Sequence, residues 1–139
     1  MHWLHWSLLS AFLAAVTAIL AKLCLFHADS NTATAVRTSV ILVLSWAVVL
    51  ATKGISGVKA VPPDSWLPLV GSGIATGLSW LCYFKALQEG PASKVAPIDK
   101  LSVFFVVVLS VFFLDEPVTM RSIIGAVLIA GGSFALATG

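Results

Sequence analysis

Five stretches of this chain are each long and apolar enough to cross a bilayer, and little is left between them. A helix needs about 20 residues, at ~1.5 Å each, to span a hydrocarbon core of about 30 Å. The first stretch runs over about 7–26 and is ended by the polar run His27-Ala-Asp-Ser-Asn-Thr32. The second covers about 36–52, and a loop with Lys53, Gly54, Gly57, Lys59 and the breaker Pro62-Pro63 follows it. The third covers about 66–87 and stops at Gln88-Glu-Gly-Pro91; the fourth covers about 95–114 and stops at Asp115-Glu-Pro117. The fifth covers about 118–138. Lipid offers no hydrogen bonds, so each crossing must satisfy its own backbone. The reading is therefore an all-α integral membrane fold, one transmembrane domain over 1–139 with no soluble domain.

Composition points the same way. The 139 residues are 59% hydrophobic and only 10% charged, too few charges to coat a water-facing surface. A formal charge of +2, from scattered basic residues, argues against nucleic acid as a partner. Met1 to Trp6 contains no Lys or Arg, so the basic region of a cleaved signal is missing. Trp3, Trp6 and Trp66 fall at span ends, where an indole keeps its N–H wet and its ring in lipid. Cys24 and Cys82 lie inside apolar blocks and read as small core hydrophobes, not a disulfide or metal pair. His2, His5 and His27 lie at span ends without metal-ligand spacing, and no nucleophile has a base one helical turn away. No metal, no cofactor and no enzymatic activity is expected.

Function must then reside in the helices. In the third span Ser72, Thr76, Ser79 and Tyr83 are spaced i, i+4, i+7 and i+11, four hydroxyls on one face. Such groups turn toward other helices or a wet cavity, although each can instead bond back to its own helix. Gly73 and Gly77 beside them let a second backbone approach closely. Trp80 lies far from either span end, where its ring either packs or stacks on an organic or cationic solute.

The fourth span carries the costliest residues. Roughly 14 residues, from Leu101 to Leu114, separate Lys100 from the acidic end, ~21 Å of helix and too little for the core. Asp99 and Lys100 are thereby drawn toward the membrane interior, just after Pro97, which deprives the Ser93 carbonyl of its helical partner. A broken helix beside charges is a common way to build a midplane site. On a continuous helix Asp99 shares a face with Ser102, Val106 and Ser110, and points about 100° from Lys100, so the two are not expected to pair. The plain alternative is that both reach shallowly to the headgroups. Lys22 sits four residues before the end of the first span and reads either as a pathway cation or as snorkelling; Arg37 opens the second span and reads as a phosphate anchor.

Charge counting places Lys53, Lys59 and Arg121 on one side, and Lys22, Arg37, Lys85, Lys94 and Lys100 on the other. That bias is weak by the positive-inside rule. Insertion in both orientations and a single fixed orientation both remain open.

From the third span onward the sequence resembles one half of an EamA-type transporter of the drug/metabolite transporter superfamily. The matching stretches are Tyr83-Phe-Lys-Ala-Leu87, Gly90-Pro-Ala-Ser-Lys-Val-Ala-Pro97, the apolar run closed by Asp115-Glu-Pro117, and Gly125-Ala-Val-Leu-Ile-Ala-Gly-Gly132. Order and spacing agree along roughly 75 residues, and the first two spans fit by length and position. The resemblance implies one half of a ten-helix inverted-repeat transporter. It implies transport of a small organic solute or metabolite through a plasma or bacterial inner membrane. The partner would be a second copy, parallel or antiparallel, or a sister chain. Gly73, Gly77, Gly125 and Gly131 are the expected packing positions, and Ser72, Thr76, Ser79, Trp80, Tyr83, Asp99, Lys100 and Lys22 the expected pathway. The four-helix exporters related to this family carry a proton-coupling Glu in their first helix. Here that helix holds only Lys22, which leaves Asp99 as the acid placed to substitute. An accessory or structural membrane subunit without transport of its own is the alternative.

Overall fold

The computed structural model describes residues 2–52 and 54–139, with nothing assigned to the His2 side chain; Met1, Lys53 and that imidazole lie outside the described part. The element order is α1 (His2–Cys24), α2 (Ser30–Thr52), α3 (Gly54–Lys59), α4 (Trp66–Glu89), α5 (Ala92–Asp99), α6 (Ser102–Leu114) and α7 (Met120–Thr138). Among the described residues, five segments are long and apolar enough to cross a membrane: α1, α2, α4, α5 with α6, and α7. The five-helix, all-α expectation holds.

Local chemistry sets the boundaries. The Asp29 carboxylate accepts from the N–H groups of Asn31 and Thr32 at 3.0 and 3.2 Å, so the polar run starts α2 as well as ending α1. α2 thus begins at Ser30, six residues earlier than hydropathy suggests. Gly54, at φ +60°, breaks the chain after α2 in a conformation that side chains resist. The segment after it, expected as loop, winds into the short α3 before Pro62-Pro63 stops it. Thr119 caps α7 by accepting from Ser122 N–H at 3.2 Å. Asp115 adopts the left-handed conformation (φ 51°) that closes α6, with Glu116 N–H donating to the Ser110 carbonyl at 3.4 Å.

The fourth span is interrupted, but not at Pro97. That proline lies inside α5, and the interruption follows at Lys100 and Leu101. There Lys100 N–H donates to the Pro97 carbonyl and Leu101 N–H to the Ile98 carbonyl, both at 3.0 Å. These tight i→i−3 bonds shift the helical register.

The chain divides into two compact units, Met1–Lys22 with Glu89–Gly139, and Leu23–Gln88. In the first, α7 packs against α5 and α6. Its inward stripe, Ala126, Ala130, Ser133 and Ala137, is small throughout, which lets backbones approach in the absence of a hydrophobic drive. In the second, α2 turns Ser30, Ala33, Thr34 and Arg37 inward, and α4 turns Trp80, Phe84 and Leu87. Leu87 and Phe84 are 0% and 2% exposed, the largest wholly enclosed side chains. Most other large apolar residues lie on the outside, Leu67 at 83% and Phe113 at 79%, as a lipid solvent allows. Cys24 and Cys82 are free thiols on that exposed surface, not core residues: each falls on a face that the helix turns away from its neighbours.

Candidate functional site

The α4 stripe is built on an unbroken helix, so Ser72, Thr76, Ser79 and Tyr83 do share a face. Ser72, Thr76 and Ser79 are exposed, while Trp80 and Tyr83 are half-buried. The Thr76 hydroxyl donates to the Ser72 carbonyl at 2.8 Å, which satisfies it within its own helix. A Cβ added to Gly73 or Gly77 would meet nothing within 4 Å, and the same is true of Gly125 and Gly131. Within the chain, no close approach requires these glycines. A shallow groove of about 420 Å³ runs between α2 and α4, lined by Asn31, Thr34, Thr38, Ile74, Gly77 and Leu81 among others.

On α4 the Trp80 ring is covered by a residue that hydropathy had placed at a span entrance. The Arg37 guanidinium carbon lies 4.2 Å from the Trp80 ring centroid and 5.4 Å from that of Phe84. Tyr83 meets Phe84 edge-on, with centroids 6.3 Å apart. Because α2 starts at Ser30, Arg37 stands seven residues inside it, ~10 Å along the axis. The side chain as a whole is half-buried, yet its Nη1 is shielded from solvent and has no hydrogen-bond partner among the described residues. A charge at the centre of a membrane helix costs roughly 2.5–3.5 kcal/mol on insertion scales. A desolvated cation–π contact returns about 2 kcal/mol. The aromatic stack thus offsets part of the cost and leaves one donor unanswered. Sequence reading gave this residue only as a phosphate anchor at a span entrance. The signal that identifies it is the cap: Asp29 followed by Ser-Asn-Thr marks a helix start, which moves Arg37 two turns inward.

The remaining polar residues fall in the other unit. Lys100 Nζ lies 3.5 Å from Asp99 Oδ2, with the two side chains 56% and 38% exposed. The expectation that the two do not pair is corrected: both sit at the end of α5, and their flexible side chains reach one another. Lys22 Nζ donates to the Gly90 carbonyl at 2.9 Å, in the α4–α5 connection. That contact places a cation where carbonyls accumulate at a helix C-terminus. Lys22 is therefore directed at the protein, not only at headgroups.

This arrangement defines a polytopic membrane protein whose polar groups sit within and between its spans. The EamA-like transporter family matches residues 1–138. A protein of Sinorhizobium sp. described as an "Uncharacterized transporter in cobO 3'region" is 44% identical over 135 residues, 97% of this chain and 96% of that one. No solved structure matches the chain. The chain belongs to the EamA-like transporter family, and with its five apolar spans it is a multi-pass membrane transporter.

Proposed function

We propose that the chain carries a small organic solute across a plasma or bacterial inner membrane, working as a dimer of five-helix halves. The observation that carries this reading is α4. One of its faces exposes Ser72, Thr76 and Ser79, and beside it Gly73 and Gly77 stand open to a further helix. Hydroxyls and glycines so placed suit a neighbouring half better than lipid. A second copy is the first candidate partner, and a sister chain the next. Trp80, Tyr83, Lys22 and the Asp99–Lys100 pair are the other groups proposed to meet solute, in transport and not catalysis.

The test is flux in vesicles that contain only this chain, screened across anionic, neutral and cationic metabolites, together with cross-linking. Movement of at least one class, and a dimer band, are expected. No flux for any class and no self-association would favour the accessory subunit.

A further inference from the structure

We infer that Arg37, with Trp80 and Phe84 behind it, is the recognition point for the carboxylate of an anionic organic solute. The inference rests on the transport reading above and narrows its substrate class. A guanidinium carries its N–H donors in its plane, and its flat face suits stacking. Here the guanidinium carbon lies 4.2 Å from the Trp80 centroid, and Nη1, shielded from solvent, has no acceptor among the described residues. A donor left unanswered in this way is satisfied by a planar oxyanion that enters beside it, held with a second N–H of the same guanidinium in parallel.

Two features that would suit an organic cation are already engaged. The Trp80 ring already holds the protein's own cation, and like charge repels a second. The Asp99 carboxylate is already paired with Lys100. Within the same unit, the Asp29 carboxylate is engaged in capping α2.

The oxyanion could come from a lipid phosphate, and the geometry argues against it. Arg37 stands ~10 Å inside α2, while Trp80 stands nine residues before the end of α4, ~13 Å along its axis. Successive crossings alternate, so the start of α2 and the end of α4 lie on one side of the membrane. The guanidinium lies nearer the Trp80 ring than the Phe84 ring, which stands four residues closer to that end of α4. A small solute reaches that depth more readily than a phosphate fixed at the interface.

The test uses the full chain with Trp3, Trp6, Trp46 and Trp66 replaced by Phe, in phosphate-free maltoside micelles, so that fluorescence reports Trp80. Benzoate should give a saturable change, and its neutral isostere benzamide should not. Arg37→Lys should weaken benzoate at least tenfold, and Arg37→Met should abolish the response. If the four-Phe protein does not fold, calorimetric titration of the unsubstituted chain with the same pair replaces it. Equal responses to benzoate and benzamide, or binding that survives Arg37→Met, would overturn the inference. So would full displacement by a short-chain phospholipid at comparable concentration. Vesicle flux separates the two claims. Movement of neutral or cationic solutes without Arg37-dependent benzoate binding keeps transport and removes the carboxylate site. Arg37-dependent binding with no flux of any solute does the reverse.

Discussion

Asp99 and Lys100, neighbours in sequence, form an ion pair at 3.5 Å across the point where the fourth span breaks. Each charge offsets part of the cost of holding the other beside lipid, and the pair sits at the junction of α5 and α6.

A double-mutant cycle on this pair separates its roles. Asp99→Asn and Lys100→Gln each strand one charge and should lower the amount of inserted protein. The double variant should recover insertion. If the pair meets solute, flux per inserted molecule should fall at least tenfold in all three variants. Recovery of both insertion and flux in the double variant would reduce the pair to mutual neutralisation.

Lys22 makes a charge-assisted bond to the Gly90 carbonyl at 2.9 Å. Lys22→Met should cost roughly 1.5–3 kcal/mol, the usual range for hydrogen bonds to a charged group. Thermal unfolding in detergent, followed by circular dichroism, should show a lower midpoint, with Lys22→Arg close to the parent. An unchanged midpoint for Lys22→Met would mean that the bond adds nothing to stability.

Gly73 and Gly77 face open space within the chain. Replacing both with Ile should leave helix content unchanged, because nothing in the chain is displaced. Self-association should weaken strongly, since a branched side chain holds a second backbone away. Single-molecule photobleaching in native-like bilayers can count copies per spot. Persistent two-step bleaching in the double Ile variant would move the interface elsewhere, with Gly125 and Gly131 on α7 the next faces to examine.

Asp29 accepts from two N–H groups at the start of α2. Asp29→Ala should cost about 1 kcal/mol by loss of the cap. Hydrogen exchange should show earlier opening of the α2 amides nearest Asp29. Asp29→Asn should retain most of the protection, since an amide oxygen can cap as well. Equal exchange in all three proteins would show that the cap is redundant.

The spans were legible from sequence because lipid leaves a backbone so few choices. A run of about 20 apolar residues must be a helix of known length, whatever it packs against. The same argument reached the α4 face of Ser72, Thr76, Ser79 and Tyr83, since register along one unbroken helix needs no neighbour. Hydropathy missed the polar start of α2. Its residues are hydrophilic, yet their role is to cap a helix, and their polarity alone resembles a loop. The destinations of the long charged side chains were decided by tertiary structure. Arg37 lies on Trp80 because a second helix brings a ring within its reach, and Lys22 finds Gly90 across 68 residues of chain. Asp99 meets Lys100 at the end of α5, where their side chains reach across adjacent positions. A flexible side chain takes its geometry from whatever the fold places around it, and sequence spacing along its own helix does not contain that information.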